Sequence, residues 1–274
     1  MKFVMTVTVL VASLVTVSAP AAAAYAGQQG SMPTGNDVSY PQCSGPLPSG
    51  QAFGIAAVNE GLANTTNPCL AAEISWAQTS AGTARQPKAS LYVNTANPGR
   101  GVADWPVNDD DPVTGNHVHD PYGACAGGDS RACAWQYGWD TADLDAQTRG
   151  VQSPGSYLWW LDVETINSWE PSAQNNRADL EGMVSYFRHI GANVGIYSTS
   201  RQWDPLVGTV RPASPLYRLP EWRPGAKTLS QAKKNCRLAP LTGGGVVSVT
   251  QWKTPSANSD FSCRLLPPKT KGQR

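Results

Sequence analysis

Short apolar runs alternate with segments of helical spacing along most of this chain, and that alternation restricts the fold more than any other feature. Residues 53–59, 89–94, 157–164, 194–198 and 246–252 read as buried strands. A first short strand ends at Asp37-Val38-Ser39, where Tyr40-Pro41 breaks it because proline cannot donate to a ladder. A weaker strand is expected over 216–222. Residues 70–80, 132–148, 176–190, 200–207 and 228–235 read as helices. In 132–148 the apolar positions are Trp135, Trp139, Ala142 and Leu144. The clearest helix, 176–190, sets Leu180, Met183, Val184 and Phe187 on one stripe and has Gly191 as its C-cap. Strand–helix alternation predicts an α/β fold with a mostly parallel sheet and helices outside. At 274 residues a TIM-like barrel is the leading architecture and an open doubly wound sheet the second. The chain has no Gly-x-Gly-x-x-Gly or Walker-type loop, which lowers the standing of a nucleotide-binding open sheet.

The strand over 157–164 ends in two carboxylates, Asp162 and Glu164, with one residue between them. Alternation on a strand points both to one face. Two such acids at the end of a buried strand are costly unless they are paired or used, and unequal surroundings split their pKa values into an acid and a stabiliser or base. The alternative is an edge strand running into solvent, where acids cost little.

Residues 1–26 resemble an export signal: Lys2, an apolar stretch over 3–17 too short to span a bilayer, and small residues around 22–26. We therefore expect one barrel domain over 27–274, secreted and in place outside the cell or at its wall. No later stretch is long and apolar enough for a membrane helix. Without Lys2 the chain has 20 basic and 20 acidic residues, and no basic cluster stands out, which argues against nucleic acid as a partner. Ten Trp and nine Tyr against four Phe is a skewed aromatic set that suits stacking on sugar rings, although cores use the same residues. Six cysteines in an exported chain favour disulfides. The pairing expected is Cys43–Cys69, Cys125–Cys133 and Cys236–Cys263; the middle pair closes a short Gly-rich loop.

In a parallel barrel, functional groups gather at the C-terminal ends of strands. Asp37 ends the first strand, Glu60 follows the second, Asp162 and Glu164 end the fourth, and Asp260 lies shortly after the last. Asn94, Tyr197, Gln251 and Trp252 accompany them. The segment 100–128 has no clear periodicity and is expected to be a binding loop or lid. Within it, His117-Val118-His119-Asp120 could face a metal, since histidines two apart on an extended chain share a side, but no third ligand can be named. No metal, cofactor or oligomeric partner is expected. Gly-x-Ser-x-Gly is absent, and no Ser-His-Asp or Cys-His arrangement is apparent. Convergent carboxylates with aromatics suit glycoside hydrolysis, in which one carboxylic acid protonates the leaving oxygen and a second group stabilises or attacks an oxocarbenium-like centre. Whether such a pair retains or inverts configuration depends on its separation, about 5 Å against about 6.5–9.5 Å.

Five motifs in order, Asp37-Val38-Ser39 with Gln42, Phe53-Gly54-Ile55 with Glu60-Gly61, Leu161-Asp162-Val163-Glu164, Gly195-Ile196-Tyr197-Ser198, and Gln251-Trp252 with Asp260, resemble the family 25 glycoside hydrolases, which are muramidases. The resemblance spans about residues 35–262. It implies an irregular (β/α)5(β)3 barrel acting on β-1,4 bonds of peptidoglycan or a related amino-sugar polymer. It implies Glu164 as general acid, with Asp162 stabilising the positive centre or positioning an N-acetyl group. Asp37 and Asp260 would be flanking acids, and Tyr197 the active-site tyrosine. The third strand, Leu91 to Asn97, and the sixth, with Pro220 and Pro224, depart from the family pattern, as does Asp260-Phe261-Ser262. Those departures motivate an alternative, a non-catalytic glycan-binding module on the same barrel.

Overall fold

The computed structural model of the chain describes residues 34–254 and 257–263; the expected export signal over 1–26 and the tail 264–274 lie outside them. Eight strands close into a barrel in sequence order. They are β1 (Thr34–Val38), β2 (Gly54–Ala57), β3 (Ala89–Asn94), β4 (Leu158–Asp162), β5 (Asn193–Tyr197), β6 (Pro220–Ala226), β7 (Val246–Lys253) and β8 (Asn258–Ser262). Neighbours from β1 through β7 pair in parallel. Strand β8 runs antiparallel to both β7 and β1 and closes the ring. Helices α1 (Leu70–Gln78), α2 (Arg131–Gln147), α3 (Ala173–His189), α4 (Ser200–Leu206) and α5 (Leu229–Asn235) follow β2 to β6 in turn. Five strand–helix units and three strands without helices are the consequence.

Alternation along β4 builds both sides of the wall. Leu158 and Trp160 join the barrel interior with Phe53, Ile55, Trp222 and Val249. Trp159, Leu161 and Val163 face outward into the larger core against Leu180, Met183, Val184 and Phe187 of α3. Trp159 stacks on Phe187 with ring centroids 4.5 Å apart. Gly195 on β5 makes room for the Trp160 ring, because a Cβ there would stand 2.3 Å from it.

Four expectations need correction. Strand β4 stops at Asp162, so Glu164 stands two residues beyond it, although the Val163 amide still donates to Tyr197 O at 2.9 Å. The sixth strand begins at Pro220 rather than 216, because the chain from Ser214 to Leu219 turns through local i→i+3 bonds. Asp260 lies within an eighth strand instead of following the last one. Helix α2 is not amphipathic: Gln136, Asp140, Asp143 and Asp145 are buried along with Trp135 and Ala142, while Leu144 is only partly buried.

The reason is that α2 is covered on two sides. On one side it meets α3 at Gly138 and Gly182, where an added Cβ would fall 1.9 Å from Asp179 O and Trp135 O respectively. On the other side the segment 100–130 folds back on it through Trp105, Val118 and Cys125, which pack against Cys133, Trp135 and Tyr137. The disulfide Cys125–Cys133 fixes that contact, and Cys43–Cys69 and Cys236–Cys263 tie other loops down. Trp139 Nε1 donates to Asp111 Oδ2 at 3.0 Å, and Gln136 Nε2 to Asp140 Oδ1 at 2.6 Å.

Burial, with smaller contributions from neighbouring acids, pushes Asp140 up to about 8 and Asp143 up to about 6. Both therefore hold protons in the fold at pH values where the unfolded chain, near 3.8, has released them. Their contribution to stability is complete below the unfolded value and is lost as pH rises through the folded values. We predict a higher Tm at about pH 5 than at about pH 8, and a smaller difference in Asp140→Asn. A Tm that rises across this window in wild type, followed by calorimetry, would contradict the assignment.

Candidate active site

A pocket of about 110 Å³ opens at the C-terminal end of the parallel strands, lined by Asp37, Tyr92, Asp162, Glu164, Tyr197, Trp222, Gln251 and Asn258. Strand parity explains the set. Asp162 has the parity of Trp160 and so points inward above it; Tyr92 and Tyr197 hold equivalent inward places on β3 and β5. Tyr197 and Tyr92 both pack edge-on against Trp222, at 4.5 and 5.9 Å between centroids, so one aromatic group forms the floor.

Asp37 is held from two strands. Gln251 Nε2 donates to its Oδ2 at 2.8 Å, and Asn258 Nδ2 to its Oδ1 at 2.9 Å. Tyr197 donates its hydroxyl to Gln251 Oε1 at 3.2 Å, which fixes the amide orientation. Asp260 sits deeper. It pairs in register with Gly35, two residues below Asp37, and is fully buried with Trp222 Nε1 donating to Oδ1 at 2.8 Å. Asp260 Oδ2 is buried with no hydrogen-bond partner.

Burial raises the pKa of Asp37, against the pull of its two amide donors. Burial, and then the charge on Asp37, holds Asp260 well above the usual carboxylate range. Asp162 is also held well above it, by burial first and then by the charges on Glu164 and Asp37. Asp162 Oδ1 is buried with no hydrogen-bond partner. A buried carboxyl with a free oxygen next to a cavity is unusual and is available to a ligand. Glu164 differs: it is partly exposed and accepts from Gln202 Nε2 at 2.9 Å.

Glu164, Tyr197 and Gln251 also line a second, wider groove of about 500 Å³ with Thr199, Gln202, Pro224, Gly225, Ala226, Lys227, Trp252 and Lys253. Glu164 thus stands where the small pocket meets the open groove. Among the residues expected from sequence, Asp37, Asp162, Glu164, Tyr197 and Gln251 line the pocket, Asp260 underlies it, and Trp252 lines only the groove.

Asn94 has the inward parity of Tyr92 but lines neither space; its amide donates to Asn59 Oδ1 at 2.8 Å. Glu60 is exposed and also lines neither, because its turn folds back on Thr65, whose Oγ1 accepts the Glu60 amide at 2.9 Å. The 100–130 segment, expected as a binding loop, packs on α2 and contributes to neither space. His117 and His119 are exposed, and His117 Nδ1 lies 3.6 Å from Asp110. Among the described residues the one group with metal-ligand spacing is Cys43, Cys69 and Glu73, and its two sulfurs are already bonded to each other.

Sequence reasoning missed Tyr92, Trp222, Asn258 and Gln202. The signal for Tyr92 was its parity with Asn94. Asn258 pairs with Asp37 only through the antiparallel return of β8, which has no local mark.

Replacing Gln251 with Leu removes one of the bonds that lower the Asp37 pKa. We predict that Asp37 titrates at a higher pH in Gln251→Leu, read from the carboxyl carbon by NMR, with stability reduced by about 1–3 kcal/mol through the unsatisfied buried oxygen. An unchanged titration would show that Gln251 does not hold this carboxyl.

Residues 148–225, from the end of α2 into β6, match the family model described as Lysozyme-like protein 1. Lysozyme-like protein 5 of Caenorhabditis elegans is 33% identical over 113 residues, which is 40% of this chain and 48% of that protein. "Probable GH family 25 lysozyme 4" of Dictyostelium discoideum is 37% identical over 49 residues, 18% of this chain and 22% of that one. The chain therefore matches about half or less of the length of these curated relatives. The muramidase of Trichobolus zukalii shares the fold with a TM-score of 0.51, 16% identity, and coverage of 84% of this chain and 92% of that structure. Over these segments the chain is similar in sequence to lysozyme-like and family 25 lysozyme proteins, and its barrel has the same fold as that muramidase.

Proposed function

We propose that the protein is an exported glycoside hydrolase that cleaves β-1,4 bonds of peptidoglycan or a related amino-sugar polymer. The observation that carries this reading is the position of Glu164, at the junction of an acid-lined pocket with an open groove. A sugar ring seated in the pocket and its neighbour in the groove bring the linking oxygen to Glu164. Glu164 then gives its proton to that oxygen as the glycosidic C–O bond breaks, and water adds to the anomeric carbon, returning a proton to the carboxylate.

Asp162 acts from beneath. Its anion is disfavoured in the empty pocket by burial and by the neighbouring negative charges. A positive centre developing beside it reverses that balance, so its stabilisation grows toward the transition state. The same free oxygen can accept the N–H of an N-acetyl group and orient it. Asp37, held by Gln251 and Asn258, forms the far wall, and the Tyr92, Tyr197 and Trp222 group offers apolar faces to the sugar. The muramidase named above supports the polymer class, and the three disulfides support an oxidising compartment. On this reading residues 1–26 are removed on export and 27–274 act as one barrel domain.

Glu164→Gln keeps size and the Gln202 contact while removing the proton. We predict a loss of about a hundred- to ten-thousand-fold in kcat, with an unchanged Tm, measured as release of reducing ends from purified peptidoglycan. Binding retained with no hydrolysis in either form would favour the non-catalytic module, and equal hydrolysis by both forms would remove Glu164 from the mechanism.

A further inference from the structure

Glu164 stands two residues past the end of β4, beyond the ladder that orients Asp162. Its backbone is nevertheless held. Trp169 Nε1 and the Asn167 amide donate to Glu164 O at 2.8 and 3.2 Å. One residue earlier, the Val163 amide donates to Tyr197 O at 2.9 Å and the Ser198 hydroxyl donates to Val163 O at 2.7 Å, so the ends of β4 and β5 are tied together. The side chain has no such frame. It is partly exposed, and among the described residues its carboxyl takes one hydrogen bond, from Gln202 Nε2 to Oε1 at 2.9 Å.

Gln202 is aimed by its own surroundings. Thr199 caps α4: its Oγ1 accepts the Gln202 amide at 3.3 Å, and its hydroxyl donates to Gln202 Oε1 at 2.8 Å. With Oε1 engaged in that way, Nε2 is the end of the side-chain amide left to face Glu164, and the reverse orientation would set a carbonyl oxygen against a carboxylate oxygen. Trp203, the next residue, is buried in the core and donates its Nε1 to Gly208 O at 3.1 Å, which stops α4 from turning about its axis. Arg223 Nη2, from β6, donates to Ser200 Oγ at 3.1 Å and fixes the first turn from another side. Thr199 and Gln202 have the spacing of a capping box, in which the glutamine would reach back to the amide of the capping residue. Here the glutamine stops at the capping hydroxyl and turns its N–H group out to Glu164. The helix needs only the Thr199 oxygen for its cap; the outward amide serves the acid.

We infer that Gln202 is a positioning residue for Glu164, holding Oε1 in place and leaving Oε2 as the oxygen that delivers the proton to the glycosidic bond. The inference rests on the hydrolase reading above and assigns a role that reading leaves open. An N–H directed at Oε1 makes that atom the carbonyl oxygen of the protonated acid and puts the hydroxyl at Oε2. A half-exposed glutamate beyond the end of a strand has several rotamers open to it, and a bond to a fixed amide removes that freedom. A general acid must stand within hydrogen-bond reach of the atom it protonates, and a displacement of about 1 Å costs about a hundred-fold in rate.

The test compares kcat and KM of the full chain with those of Gln202→Met and Gln202→Glu on soluble peptidoglycan strands. Methionine keeps the bulk and removes the donor. Glutamate keeps an oxygen for the Thr199 hydroxyl and sets an acceptor against Oε1, so it carries the comparison if Gln202→Met folds poorly. Both should lower kcat by about ten- to a hundred-fold with KM changed by less than about two-fold. In the Glu164→Gln background, where no proton is delivered, Gln202→Met should leave the Kd for the same strands within about two-fold by calorimetry. A residue that bound sugar directly would raise KM and Kd, and one that only capped α4 would lower Tm and leave kcat of the folded protein as it was.

Unchanged kcat in the folded variants would overturn the inference, as would a loss confined to KM or a weakened Kd in the Glu164→Gln background. If wild type hydrolyses the strands and Glu164→Gln does not in that case, the hydrolase reading stands and only the role of Gln202 falls. Absence of hydrolysis by wild type would overturn the hydrolase reading and the inference with it.

Discussion

Gln251 Nε2 and Asn258 Nδ2 reach the Asp37 carboxylate from β7 and β8, at 2.8 and 2.9 Å, and by doing so they join the last two strands to the first. The rest of the closure is the antiparallel backbone pairing of two five-residue strands, β1 and β8, with Asn36 Nδ2 donating to Asn258 O at 2.7 Å. A barrel left open here would expose two sheet edges. The side chains that seal it also fix the orientation of an acid in the pocket, so closing the fold and arranging the site are one event. Tyr197 extends the arrangement to β5 through Gln251, and Trp222 extends it to β6 through Asp260.

Placing Asp37, Asp162 and Asp260 together in a buried space is unfavourable by several kcal/mol if all are charged. No Lys or Arg enters the pocket lining to offset such charges, and burial raises the pKa of all three acids instead. Among the described ion pairs the one fully buried example, Arg223 with Glu221, is turned away from the pocket toward Ser200 and Ala239. Acids whose ionisation is opposed at rest gain stabilisation as anions when a positive charge appears beside them.

The sequence carried the parallel part of this plan and lost the antiparallel part. The alternation over 157–164 put Asp162 and Glu164 on one side from local pattern alone, and in the structure Asp162 shares the inward side with Trp160. Asp260 was expected just after the last strand since Asn258–Ser262 is polar at four of five positions and has meaning only against β1 and β7. Trp222 was obscured by Pro220 and Pro224, which argue against a central strand; the register shifts in β6 are how the barrel accommodates them. Helix α2 misled in another way. Its charged residues marked a solvated face by pattern, and a long irregular segment covers that face, a tertiary choice with no local period.

That helix also separates two uses of the same chemistry. Asp140 and Asp143 have pKa values raised by burial, as Asp162 and Asp260 do. Asp179 on α3 is buried with neither oxygen hydrogen-bonded, which matches Asp162 on the two measures that most often mark a site. Yet the acids of α2 and α3 lie under packed segments and line neither cavity. Perturbed titration alone would have selected the wrong cluster. What distinguishes Asp162 is that its free oxygen belongs to a cavity that opens past Glu164 into a groove. A buried proton with a path to ligand can do work on one, whereas a buried proton without such a path only makes the fold sensitive to pH.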